Sequence, residues 1–175
     1  QNGIKSVCVG NQKQIAITIQ SASDDNDGYL YASNTSNIAE GKLTYAYFLT
    51  SNNYAAYEMF RCPSRPEEIN INNNGVWNGW TAYGARYEND EPYQIKLDDF
   101  SAGDWLLGDA LQQDGTDSIF RMTTGDQNNY ASPHLIHLNK ANILFFDGHV
   151  EGLNGPTLQS TYGFTGVFAE NGNLF

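Results

Sequence analysis

The sequence predicts an α+β domain in which one N-terminal helix packs on a small antiparallel β-sheet ending in a C-terminal hairpin. Three observations predict it. Ile4, Val7, Cys8, Asn11, Ile15, Ile19 and Ala22 recur at three- and four-residue steps, the period of an amphipathic helix. Short runs rich in aromatic and β-branched residues follow through the middle of the chain. Near the end, the apolar run Ile143 to Phe146 meets Asp147-Gly148, a turn signal. The chain has 175 residues, 40% of them hydrophobic, enough to bury one core, so residues 1–175 are read as a single domain.

The first helix, residues 1–23, begins without Met and without an obvious N-cap, which reads as a helix truncated at its start. It should stop near Ser23, because Asp24-Asp25-Asn26-Asp27-Gly28 joins poor helix formers to a glycine suited to a left-handed exit. The same run invites a calcium reading. Ser23, Asp25, Asp27 and Gly28 fall on the key positions of an EF-hand loop, but the first ligand is Ser and the twelfth position is Asn34, which excludes that motif. Asp24, Asp25 and Asp27 remain calcium candidates, with help from Asp114 and Asp117; the alternative is plain solvated turns. A second helix is expected over Leu43 to Ser51. Cys8 and Cys62 are the only cysteines, and they form either a bridge or two buried thiols.

Strands are expected at Val76-Trp77, Trp80 to Tyr87, Tyr93 to Leu97, Trp105 to Leu107 and Ile119 to Met122. Trp77, Trp80, Tyr83 and Tyr87 either fill the core or form a sugar-stacking platform. In the hairpin of residues 137–153, a two-residue Asp147-Gly148 loop pairs Phe146 with His149, Phe145 with Val150 and Leu144 with Glu151. Phe145 and Val150 are then the inward pair. His137, behind the bend Asn139-Lys140-Ala141-Asn142, is expected to fold back onto Asp147 or a loop carbonyl. The extension 154–175 is expected to add a last hairpin or cover an edge.

Charge narrows the function classes. The net charge of -11 and nine Lys plus Arg lack the basic face that nucleic acid or anionic lipid demands. The longest apolar run, Ile143 to Phe146, falls far short of the ~20 residues of a membrane span. His134 and His137 have H-x2-H spacing and can be drawn as a metal site with His149 or Asp147, the basis of a metal-dependent hydrolase reading. No H-E-x-x-H, G-x-S-x-G or phosphate-cradling loop accompanies them. Asp98 and Asp99 point to opposite faces if extended. The expectation is a protein that is not an enzyme, with no catalytic residue and no cofactor.

The block HLNKANILFFDGHVEGL resembles the signature of the bacterial prepilin-type processing-associated H-x9-DG family, filled here by His137, Ala141, Asn142, Asp147, Gly148, His149 and Val150. Cys8-Val9-Gly10-Asn11-Gln12-Lys13-Gln14-Ile15, running on to Ser23-Asp24-Asp25-Asn26-Asp27-Gly28-Tyr29-Leu30, is similar to that family's exit from its first helix. Phe60-Arg61-Cys62-Pro63-Ser64 matches a third block, and Tyr83-Gly84 and Leu106-Leu107-Gly108-Asp109 are further signposts. The resemblance implies a pilin-like or pseudopilin subunit of a type II secretion or type IV pilus-like assembly. It implies an extracytoplasmic location, membrane attachment only through an upstream apolar helix removed from this chain, and pilin-like subunits and secretion machinery as partners. It makes His137, Asn142, Asp147, Gly148 and His149 structural motif residues. The competing reading is an exported surface module that binds glycan or calcium.

Overall fold

The computed structural model describes residues 2–31, 45–64, 82–86, 94–111, 121–122, 124, 132–171 and 173. Helix α1 (Asn2–Asp24) buries one stripe, Cys8, Gln12, Ile15, Ile19 and Ala22. Ile4 and Val7, expected on that stripe, are 39% and 48% exposed. Val7 lies one 100° helical step away from Cys8, which turns it off the packed face. The Ser23 carbonyl accepts the N–H groups of Asn26 and Gly28 at 3.0 and 2.9 Å, and Asp27 and Gly28 take positive φ of 53° and 87°, so the helix ends where the sequence predicts.

Strand β1 (Tyr29–Tyr31) pairs antiparallel with β3 (Gln94–Lys96) as a separate ribbon. Helix α2 covers Tyr45–Ser51, and a 3-10 turn covers Tyr57–Phe60. The larger sheet contains β2 (Tyr83–Arg86), β4 (Trp105–Leu111), β5 (Arg121–Met122), β6 (Ser132–Pro133), β7 (Ala141–Phe145) and β8 (Val150–Leu153). Its order is β5-β2-β4-β7-β8, with β6 paired to the end of β4; every pairing is antiparallel except β2 with β5. The molecule is therefore α+β, with an N-terminal helix on a largely antiparallel sheet. The predicted strand Val76-Trp77, the aromatics Trp77, Trp80 and Tyr87, and the acidic candidates Asp114 and Asp117 lie outside the described residues; Tyr83 is buried in the core.

Strands β4 and β7 are buried along their whole length, as the middle layer of a three-layer domain must be. On one face α1, α2 and Phe60 pack with Tyr83, Ala85, Leu107 and Leu144. On the other, Trp105, Ile143, Phe145 and Leu153 pack with Leu158, Phe164 and Val167. This second cover is the C-terminal extension, and it corrects the expected hairpin: residues Gly155–Tyr162 form helix α3. Asn154 caps it by accepting the Thr157 N–H at 2.9 Å, and Pro156 lies in the first turn. Gly163 leaves it at φ 74°, while Phe164 N–H reaches back to the Leu158 carbonyl. The chain then straps beside β6, where Phe168 exchanges 2.8 Å hydrogen bonds with Pro133 and Leu135.

The hairpin also differs from the expectation, by one residue. Leu144 pairs with Val150 and Ile143 with Glu151. Asp147 does not take positive φ, so the two-residue turn fails; Gly148 alone does, at 84°. Gly148 N–H donates to the Phe145 carbonyl at 2.9 Å and Phe145 N–H to that of His149 at 3.0 Å, a three-residue loop closed by a left-handed glycine. The slip exchanges faces. Val150 joins Leu144 beneath α1, while Phe145 faces away and stacks on the His149 ring, centroids 4.3 Å apart.

The two-residue turn lies earlier. His137 and Lys140 exchange main-chain hydrogen bonds of 3.0 and 3.2 Å around Leu138 and Asn139, whose φ values are 56° and 59°. A type I′ turn has positive φ at both central positions, which Asn accepts and Leu resists by about 1–2 kcal/mol. Leu138 is also 54% exposed, so its packing offsets little of that strain.

Candidate functional site: a buried junction of four segments

Four segments of chain meet under α1. The helix presents Cys8 and Gln12 from successive turns of its buried stripe. The segment after the 3-10 turn brings Cys62 and Ser64, β4 brings Asp109, the 137–140 turn brings His137 and the start of β7 brings Asn142. Cys8 and Cys62 form a disulfide with Cα atoms 5.2 Å apart. The Cys62 segment is held from both sides: its neighbour Arg61 gives its carbonyl to Asn11 Nδ2 at 2.8 Å and to the Tyr83 hydroxyl at 3.0 Å, and Ala82 N–H donates to the Phe60 carbonyl. Burial pushes the Tyr83 hydroxyl pKa upward, so the phenol stays a donor at every ordinary pH.

The Asp109 carboxylate is 1% exposed and its two oxygens are claimed separately. Oδ2 accepts the Asn142 main-chain N–H at 2.6 Å, and Oδ1 accepts Gln12 Nε2 at 3.2 Å. Gln12 Nε2 also donates to the Asn142 carbonyl at 3.2 Å. Gln12 thus binds helix to sheet through polar contacts inside an apolar stripe. Gln12 Oε1 and both polar atoms of the Asn142 side chain are buried without a hydrogen-bond partner among the described residues, leaving this junction more polar than its contacts consume.

The His137 ring completes the junction. Nε2 stands 3.5 Å from Cys62 Sγ and 3.6 Å from Asp109 Oδ2, and Nδ1 stands 3.5 Å from Ser64 Oγ. The ring is 4% exposed, and burial, helped by the Lys5 ammonium, lowers its pKa from 6.5 to about 4. A charged ring would gain Asp109 as partner, but the cost of desolvating it dominates, so imidazole is neutral at neutral pH.

The placement of the motif residues corrects one expectation. His137 does not reach Asp147. Asp147 lies on the exposed hairpin tip, where Oδ1 accepts the His149 N–H at 3.0 Å and contacts the His149 ring. These bonds, the main-chain one first, hold the Asp147 carboxyl below its ordinary pKa. Gly148 supplies the left-handed turn position, and Asn142 sits in the buried junction. The H-x9-DG pattern therefore spans two separate local structures, a buried histidine and a surface turn. Of the calcium candidates, Asp25 accepts the Tyr54 hydroxyl and Asp24 accepts Gln20 Nε2, each at 2.8 Å, while Asp27 occupies a turn position. Among the described residues, the metal-ligand grouping of three donors is Cys8, Cys62 and His137.

Gln12, Ser64 and Asp109 lie within the family-like blocks of the sequence, but the resemblance does not single them out as site residues. Two signals were available: a polar residue at i+4 from Cys8 on a buried stripe, and a carboxylate inside the apolar strand Trp105–Leu111. No family model, curated protein or solved structure matches the chain. Among the described residues, no helix is long and apolar enough to cross a membrane.

Proposed function

We propose that this chain is the globular head of a non-catalytic pseudopilin-like or minor-pilin-like subunit, which acts by packing with other subunits along α1. One observation carries the reading. The outward side of α1 presents Gly3, Val7, Gly10, Gln14, Ile17 and Ser21, a sustained three-four spacing opposite the buried stripe, and Ile17 is 67% exposed. A Cβ added at Gly3 or Gly10 would meet nothing within 4 Å. Glycine inside a helix, as at Gly10, costs about 1 kcal/mol relative to alanine, and no contact among the described residues requires it there. Small residues such as Gly3, Gly10 and Ser21 let a neighbouring helix approach closely, and Val7 and Ile17 offer it apolar surface.

Two further facts support the reading. The blocks that resemble the H-x9-DG family contribute Cys8, Gln12, Cys62, Asp109, His137 and Asn142 to one junction that fixes α1 to the sheet. A disulfide fits an exported protein better than a cytosolic one. The upstream coding sequence is expected to encode a short basic leader and about 20 apolar residues. In the gene's full product, Gly10→Phe should leave the circular dichroism of the head unchanged and abolish co-purification with the other pilin-like subunits. Undiminished co-assembly would sink the subunit reading.

A further inference from the structure

We propose that Cys8, Cys62, His137 and Asp109 become a buried tetrahedral site for a zinc-like divalent ion when the disulfide is reduced. Donor atoms of Cys8, Cys62 and His137 all lie within 4.8 Å of one another. Zinc bound at about 2.3 Å to sulfur and 2.0–2.1 Å to nitrogen or oxygen places tetrahedral S···N and N···O neighbours about 3.5 and 3.4 Å apart. The corresponding separations here are 3.5 Å from Cys62 Sγ to His137 Nε2 and 3.6 Å from Nε2 to Asp109 Oδ2. Two edges of the coordination polyhedron are already in place.

The sulfur pair is not in place, because two thiolates on one zinc stand about 3.8 Å apart and bonded sulfurs cannot, and Asp109 falls outside the mutual 4.8 Å grouping of Cys8, Cys62 and His137, so its carboxylate must close on the sulfurs as they part. Reduction removes that bar. A phosphine reductant delivers two electrons to the S–S bond and leaves as its oxide; water supplies the oxygen and the two thiol protons. The ion then displaces one proton from each thiol. Thiolates and imidazole favour zinc over calcium or magnesium.

The surrounding shell is also built. Gln12 Nε2 and the Asn142 N–H each fix one oxygen of Asp109, and the Ser64 hydroxyl faces the other ring nitrogen of His137, the position where a ligating histidine ordinarily finds its orienting partner. Two thiolates, one carboxylate and a divalent ion leave a single negative charge, with the Lys5 ammonium near enough to act on the His137 ring. The site does not depend on the subunit reading.

The test is cobalt titration of the phosphine-reduced chain, desalted without oxygen. A single cobalt per chain is expected, with intense thiolate-to-cobalt absorption that zinc abolishes, and none with the oxidised chain. Asp109→Asn should weaken zinc at least tenfold, and His137→Ala more. If the reduced chain unfolds, zinc is expected to restore its circular dichroism. Absence of the thiolate band from a folded reduced chain, failure of zinc to restore an unfolded one, or equal uptake by the oxidised protein would overturn the site.

Discussion

The two faces of the central sheet are held by different physics. Beneath α1, an apolar cluster surrounds a disulfide, a neutral histidine, a carboxylate and a glutamine, each fixed by directional contacts. Beneath α3, the cover is Trp105, Ile143, Phe145, Leu153, Leu158, Phe164 and Val167, and Trp105 and Phe164 meet ring to ring at 5.1 Å. Apolar contact is nondirectional and tolerates small slips, whereas Gln12 can bridge Asp109 and Asn142 in one position only. Side-chain polar contacts set where α1 sits, whereas on the aromatic face register is left to main-chain bonds such as those of Phe168 with Pro133 and Leu135.

The sharpest way to break this contrast is to remove the crosslink. With Cys8 and Cys62 54 positions apart, Cys62→Ala should cost about 4 kcal/mol on the chain-entropy account, read by urea denaturation. A loss below 1 kcal/mol would mean the junction holds α1 without it. On the opposite face, Phe164→Ala should cost about 3–4 kcal/mol, and hydrogen exchange should quicken in α3 before α1. Uniform quickening would show that the two faces unfold as one unit.

Acid should act on the polar face. His137 has a folded pKa of about 4 against 6.5 unfolded, so between those values the unfolded chain binds the extra proton. Its contribution is complete above pH 6.5 and drains away as pH falls toward 4. His137→Gln should therefore narrow its stability gap to the parent over that interval; a constant gap would contradict a neutral buried ring. The smallest effect is a gain. Leu138→Asn relieves a left-handed leucine and should raise stability by about 1 kcal/mol, with the midpoint of thermal unfolding as the measure.

Much of the fold was legible because local signals and burial agreed. The α1 period, the exit at Gly28 and the strand at Ile143 are each written in residues adjacent in the chain. Two errors arose where a competing local choice was nearly as good. Asp-Gly suits both a two-residue and a three-residue loop; the three-residue loop places Phe145 opposite His149 and lets Asp147 accept the His149 N–H. In the C-terminal extension, Asn154, Pro156 and Gly163 marked a helix, but its short length and aromatic flanks masked those start and stop signals. The junction was legible only in pieces. Cys8, Cys62 and His137 stood out as residue types, whereas Gln12 and Asp109 acquire their role from a meeting of α1 and β4 that no local spacing encodes.

The position of the disulfide also has a mechanical meaning. A pull applied to the chain ahead of residue 8 and resisted at the C-terminus passes from Cys8 directly to Cys62 through the sulfur atoms. The rest of α1, the turn at Gly28 and α2 lie on the bypassed loop. Tension would load the sheet while leaving that loop slack, so the domain could stretch at its C-terminal cover and keep its helical spine intact.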